Sequence, residues 1–419
     1  MITIKNQIAS KILIILFLIS YFIPNSINGV IDRIGNQFFF LSIISFLSIL
    51  FLIKNYALYA KIKTTISEKT SIMYLVFILW TLISITFSYN KIEALVTFNQ
   101  YFTIFISFIL IKTLLSYISN PIDFILKLFL ILLTAEVLIS IYPILKDIEK
   151  DQLVFRSMKY SGAAANINVL AFSLLYKMPI LLYFLTKEKK ILIKTFFIIL
   201  LFSTLFIISI LGTRGAYIGV VICLISYLAY ILKANFKKLF KIKELSLVIT
   251  TVLLVIFFNI NSSQEDSNII SRASTIRIDT QDGSINQRLR YYKQGINHFI
   301  ANPIMGVGIG NWKLFSIDYD KNEINGLVVP YHAHNDFIQL LVELGIFGLL
   351  FYGLFIFYSV KKLFNNSLFD DHINFLLFGS LLMYLLDSSF NFPIARPISQ
   401  LFLITFCCLV SLYEKKLNV

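Results

Sequence analysis

The sequence predicts an all-α polytopic membrane protein with about twelve transmembrane helices and one long extracytoplasmic loop. Three observations carry that reading. Hydrophobic residues make up 58% of the chain and charged residues only 14%, where a soluble domain carries roughly a quarter charged. Mean hydropathy is +0.79. Apolar runs of spanning length recur from one end to the other and share 41 phenylalanines.

The first run, at about 10–27, follows Lys5 and Lys11 and so has the flank of a signal peptide. No small-residue cleavage site follows it, and many equal runs come later, so it reads as a first span. The others lie at about 37–53, 71–88, 94–115, 121–142, 166–186, 191–211, 215–233, 245–260, 337–360, 373–391 and 398–413. Most lysines fall in "KNYALYAKIKTTISEKT", "KEKK", "KANFKKLFKIK", "KKLFNN" and the tail "EKKLNV", all on one side of these spans. The opposite loops are "NSINGVIDRIGN", "SYNKIEA", a stretch near 143–165, "GTRG", the long 261–336 segment and "NFPIARP", and several carry an isolated arginine. The positive-inside rule then puts both termini in the cytoplasm. It also accounts for the formal charge of +14 without a nucleic-acid partner. Cys223, Cys407 and Cys408 all fall in apolar runs, without disulfide or metal spacing, and read as buried, inert thiols.

The chain therefore divides into nine spans over 1–260, an extracytoplasmic loop over 261–336 and three spans over 337–419. The loop opens on the polar run "NSSQEDSN". Leu289, Tyr292, Ile296, Phe299 and Ile300 then recur at helical spacing, with Asp282 or Ser284 as cap and Pro303 as stop. This predicts an amphipathic helix of about four turns lying against the membrane surface or the spans.

Arg288 and Tyr292, four apart, share a face of that helix. Arginines on a surface helix are commonly interfacial anchors, which competes with a substrate role. "GVGIGN" ends in Asn311 where a dinucleotide-binding turn needs a third glycine, and no strand leads into it. Its glycines read instead as points of sharp turning or close backbone approach. "LGTRGAY" puts Arg214 between two spans with almost no loop. A guanidinium there either snorkels to the interface or faces water, a partner or a ligand anion.

"VVPYHAHNDFIQLLVELGIFG" holds His332 and His334, two of the four histidines, at the entry to the tenth span. A metal would need further ligands, and Asp336 is the only nearby candidate, so no metal or other cofactor is expected. Asn335 suits the N-cap and Asp336 the first turn. A histidine at a membrane surface titrates near neutrality and accepts a proton from a hydroxyl, while a helix N-terminus beside it favours an anion. With Arg214 and Arg288 on the same side, the constellation suits a substrate bearing a phosphate or pyrophosphate and a reacting hydroxyl. His298, on the loop helix, and His372, in "FDDH", are less telling.

These residues resemble those of the O-antigen ligase and polymerase superfamily of bacterial envelope biogenesis. The ligase signature of His-Asn, nine residues, then Gly-x-x-Gly is met by His334, Asn335, Gly345 and Gly348. Arg288 to Tyr292, Pro303 and Gly306 to Asn311 match the long-loop pattern, although many members carry Trp where this chain has Tyr292. "GTRGAY" is similar to the family's Ser/Thr-Arg-Gly-Ala segment, and Asn166 and Asn168 to its Asn-x-Asn-x-Leu-Ala span entry. The resemblance covers roughly residues 156 to 350. It implies a multi-pass protein of the bacterial inner membrane that moves a glycan from undecaprenyl pyrophosphate to a hydroxyl of lipid A-core, or else to a growing carrier-linked glycan. It implies inversion at the anomeric carbon without a metal. Arg214 and Arg288 would stabilise the leaving pyrophosphate, His334 would act as general base, and His332, Tyr292 and Asn335 would position substrate. The chain ends about six residues after its last span, without the appended soluble domain of many protein-directed members, which argues against a protein acceptor. A transporter is the rival from another class. Lys112, Lys127, Lys177 and Glu136, within or near spans, favour it; the gathering of polar residues in one asymmetric loop does not.

Overall fold

The apolar runs become helices because they leave no other way to satisfy backbone polar groups in hydrocarbon. The computed structural model describes residues 4–23, 33–54, 57–235, 242–262, 283–320, 330–365 and 372–417. The helices are α1 (Ile4–Ile19), α2 (Arg33–Ile53), α3 (Ala57–Ile66), α4 (Lys69–Ser84), α5 (Lys91–Leu115), α6 (Pro121–Glu149), α7 (Ile167–Lys187) and α8 (Ile191–Leu211). After them come α9 (Arg214–Asn235), α10 (Ile242–Ser262), α11 (Gly283–Ala301), α12 (Trp312–Asp320), α13 (Asp336–Asn365), α14 (His372–Phe390) and α15 (Pro397–Leu417).

Among the described residues, nine helices are long and apolar enough to cross a membrane. Shorter apolar stretches, Leu245–Phe257, Phe375–Phe390 and Pro397–Tyr413, stand where the sequence places its ninth, eleventh and twelfth spans. Large apolar side chains such as Phe46, Leu79, Ile131 and Leu138 face outward, as a lipid-facing surface requires. Two differences from the sequence reading are local. α6 runs through Pro143 to Glu149 rather than stopping near 142. α3 forms inside the lysine-rich segment read as a loop.

The four charged residues singled out within or near the spans, Lys112, Lys127, Lys177 and Glu136, are paired. Lys177 Nζ lies 2.9 Å from Glu136 Oε1, both almost fully buried. Tyr21 and Ser173 hydroxyls donate to the same carboxylate at 2.7 and 2.8 Å. Lys112 meets Glu68 at 2.7 Å and Thr70 at 3.2 Å. Lys127 pairs with Asp123 on an exposed face at 2.8 Å. A buried pair whose lone pairs and protons are met by further hydrogen bonds holds helices in one arrangement. These charges are thereby accounted for without a transport pathway.

Loops that the sequence assigns to one face do share it. Asn90, which caps α5 through Ile92 N and Glu93 N, receives Asn311 Nδ2 on its carbonyl and gives its own N–H to Asn311 Oδ1 at 2.8 Å. Gly212, at φ +60°, closes α8 so tightly that Thr213 alone separates it from α9. The stretch "NSSQEDSN", the cap candidate Asp282 and the side chain of His372 lie outside the described residues. Ser284 is not a cap, because α11 begins ahead of it at Gly283.

α13 is broken at Gly345, where φ is +64°. The break strands carbonyls that an intact helix would use, and the "GVGIGN" loop takes them up. Val307 N donates to Val342 O and Gly308 N to Glu343 O, each at 2.9 Å, and Ile346 N donates to Pro303 O at 2.9 Å. Trp80 Nε1 takes Leu344 O, also at 2.9 Å. The loop comes this near because it lacks side chains: a Cβ on Gly306 would lie 2.1 Å from Val342 O. Gly308, at φ +89°, and Gly310, at φ +74°, turn the chain beneath Ser88 and Thr97. Glu343 then accepts from Gly310 N and Trp312 N at 2.9 and 3.0 Å, so its carboxylate sits on the N-terminus of α12. The glycines thus serve close approach, as their spacing without a strand implied.

Candidate active site

Around this knot the loop builds a small core from Tyr291, Val307, Trp312, Phe315, Ala333 and Val342. α11 enters it with a face the sequence did not favour. Tyr291, Gly295 and His298 are buried, whereas Leu289, Ile296 and Ile300 of the predicted stripe are 46%, 46% and 70% exposed. The cause is Gly295, whose missing side chain lets the helix close onto Ile338 and Val342. The larger apolar residues are left facing away from the protein. His298 is a core residue, its ring 4.7 Å from Phe315, and burial lowers its pKa.

Asn335 is the N-cap of α13: its side-chain oxygen accepts from Phe337 N at 3.0 Å and Ile338 N at 3.1 Å. Its amide nitrogen donates to Ser389 O at 3.2 Å and so ties α13 to the end of α14. Directly before it, His334 holds a left-handed backbone at φ +55°, which non-glycine residues seldom adopt. Tyr292 OH donates to the His334 carbonyl at 3.0 Å, which fixes that geometry.

Both imidazoles lean on Phe392, in the short connection between α14 and α15. His332 stacks on that ring at 4.2 Å, and His334 meets it edge-on at 5.2 Å. Arg396 lies over the same ring at 4.8 Å. Asp336 holds the connection in place by accepting from Ile394 N at 3.0 Å, and Gln400 Nε2 reaches Pro393 O at 3.2 Å. Arg396 was not singled out in the sequence. Its only signal there was an isolated arginine in "NFPIARP", one of the loops on the arginine-bearing face.

The electrostatics follow from this packing. His334 is pushed down to about 4, first by burial, then by the charges of Arg288 and Arg396. His332 is pushed down to about 3, first by burial and next by Arg396. Both are therefore neutral at pH 7, and each carries a buried Nδ1 that no described residue hydrogen-bonds. Tyr292 is raised by burial, against the lowering charge of Arg288. Among the described residues no group of three or more His, Cys, Asp or Glu is gathered to hold a metal ion.

Arg288, Tyr292, His332, His334 and Asn335 thus lie close together. Arg214 starts α9 on the same face of the bundle. The neighbouring Gly215 packs against Phe172 and Phe390, one residue from the Ser389 carbonyl that Asn335 holds. The guanidiniums that act on His334 are Arg288 and Arg396.

Residues 195–353 match the family model described as O-antigen ligase, a stretch that contains Arg214, Arg288, Tyr292, His332, His334 and Asn335 and stops short of Arg396. Over that stretch the chain is similar to the O-antigen ligase family. A protein of Rickettsia typhi provisionally named polysaccharide ligase is 26% identical over 302 residues, 70% of this chain and 68% of that protein. A protein of Rickettsia prowazekii with the same provisional name is 28% identical over 174 residues, 40% of each chain. In this chain the signature motif has a physical reading: its Asn caps α13 and its first Gly makes the break in that helix.

Proposed function

We propose that this protein transfers a glycan from undecaprenyl pyrophosphate to a hydroxyl of lipid A-core, by a metal-independent, inverting displacement at the outer face of the bacterial inner membrane. The observation that carries the reading is a neutral, half-buried His334 beside the guanidiniums of Arg288 and Arg396. In the reaction the acceptor oxygen forms its bond to the anomeric carbon as the bond from that carbon to the pyrophosphate oxygen breaks. The electron pair leaves with undecaprenyl pyrophosphate, and the hydroxyl proton passes to His334. Arg288 and Arg214 meet the charge growing on the leaving group, a preorganised electrostatic role. His332, Tyr292 and Asn335 hold His334 and the substrate in register.

The depressed pKa of His334 fits this sequence of events. At about 4 it is a weak base in the free protein. A bound pyrophosphate offsets the positive charges of Arg288 and Arg396, leaving burial as the remaining cause. His334 then becomes a stronger base once the donor is in place.

Both termini are cytoplasmic in this account. Purified protein reconstituted with carrier-linked glycan, with and without lipid A-core, tests it by gel shift of the product. Glycan on the core lipid supports the reading. A ladder of longer carrier-linked glycan formed without core lipid would make the protein a polymerase. No product in either reaction would overturn glycan transfer altogether.

A further inference from the structure

The bundle has a second feature at its other end. α14 runs from Phe390, beside the site, to Phe375, a rise of about 22 Å. There α7, α9 and α14 part around a small cavity of about 110 Å³. Its apolar wall is made by Pro179, Leu182, Cys223, Phe375, Gly379 and Met383. Pro179 and Gly379 face each other, and because Gly379 has no side chain the helices meet there without filling the space above.

A second cavity of about 420 Å³, within the roughly 300–1,000 Å³ that small-molecule and cofactor sites occupy, adjoins the first and shares Tyr183 and Lys187 with it. This one is partly polar, with Ser119 and Asn120 at the start of α6 in its lining. Lys187 stands between the two. Its ammonium donates to Tyr183 OH at 2.6 Å and lies 4.7 Å over the same ring, both neutral partners. Among the described residues it forms no ion pair. Asp123, the acid in the polar cavity, is already paired with Lys127 at 2.8 Å.

We propose that these joined cavities bind one anionic membrane lipid, with its hydrocarbon chain along the Cys223–Met383 wall and its charged headgroup at Lys187. An apolar compartment leading to a polar one, with a cation between them that no carboxylate among the described residues pairs, matches an amphiphile that carries negative charge. The glycan donor is excluded by place, since its pyrophosphate belongs at the opposite face. In the expected orientation the headgroup lies at the cytoplasmic leaflet, whose anionic surface favours juxtamembrane lysines. This inference stands on the far-end cavities and does not depend on the proposed reaction.

Native mass spectrometry of the full chain, taken from nanodiscs of mixed phosphatidylglycerol and phosphatidylcholine, tests it. The wild type is expected to retain phosphatidylglycerol over phosphatidylcholine. Lys187→Gln is expected to weaken that retention about fivefold, the effect of one basic residue at an anionic surface. Ser226→Trp, which fills the apolar cavity, is expected to lose retention of either lipid. Lys63→Gln, a charge change on an exposed residue of α3 that lines neither cavity, is expected to behave as wild type. Equal retention of the two lipids by wild type, unchanged retention in Lys187→Gln, or an equal loss in Lys63→Gln would overturn the proposal. Should Ser226→Trp fail to insert, thiol labelling of Cys223 in the wild type decides instead. Slowing by phosphatidylglycerol supports the site, and no slowing, or equal slowing by phosphatidylcholine, overturns it.

Discussion

Replacing Gly345 by alanine separates the broken-helix account of α13 from a simpler one in which the motif glycine is only a flexible point. At φ +64°, an alanine costs about 1–2 kcal/mol on backbone grounds. Its Cβ would also lie 2.2 Å from Ile304 O and 2.6 Å from Ile304 C. These are backbone atoms, so relief requires the 303–308 segment to move. That segment holds three hydrogen bonds to α13, through Pro303 O, Val307 N and Gly308 N, all at 2.9 Å. At about 1 kcal/mol net for each, losing two of them brings the total to roughly 3–4 kcal/mol. Gly353 in the same helix is the control, because a Cβ there meets nothing within 4 Å. Gly353→Ala is expected to be neutral or to stabilise by up to about 1 kcal/mol. Thermal unfolding in detergent at one fixed scan rate reads the difference, followed by a transfer assay well below the transition. Gly345→Ala is expected to unfold several degrees lower and to lose activity as Glu343 and the α13 entry shift. If Gly345→Ala and Gly353→Ala melt together with wild type, the knot between the glycine loop and α13 contributes nothing and the reasoning fails.

Two further changes address the site itself. Arg288→Lys keeps the charge but loses the planar fork of donors, and is expected to cut transfer at least tenfold, measured as product formed at saturating donor; unchanged activity would remove guanidinium geometry from the mechanism. Arg396→Gln removes the last in size of the three causes that lower His334 from 6.5 to about 4. Its absence lets the folded pKa rise, so the acid limb of kcat/KM, where His334 gains a proton and activity falls, moves upward by less than one pH unit. A limb that stays in place, or moves down, would show that Arg396 does not act on His334.

What the sequence revealed depended on how local each signal was. The spans were legible because each is a continuous apolar run, and the Asn335 cap because cap and helix are adjacent residues. Arg288, Tyr292 and His334 were legible as a group only through a topology that put both segments on one face. Arg396 was not, since its relation to His334 passes through Phe392 and the turn that Asp336 holds, and no spacing encodes that. The protein-facing side of α11 was not singled out, for a related reason. Periodicity ranks residues by apolar size, while the contact is decided by a glycine that permits close approach. Glu343 lay inside an apolar run with no visible partner, and its role appeared only when the 306–312 loop folded back onto it. Lys177 and Glu136 looked like a pathway in sequence because their pairing joins two different helices.

The central claim is that His334 takes the acceptor's proton. The most direct measurement is single-turnover transfer from carrier-linked glycan to lipid A-core by reconstituted His334→Ala beside wild type, with equal insertion verified by thermal unfolding. The account expects donor binding to persist, because Arg288 and Arg214 are untouched, while transfer falls by roughly 10²–10⁴-fold. Wild-type transfer by a correctly inserted His334→Ala protein would contradict it.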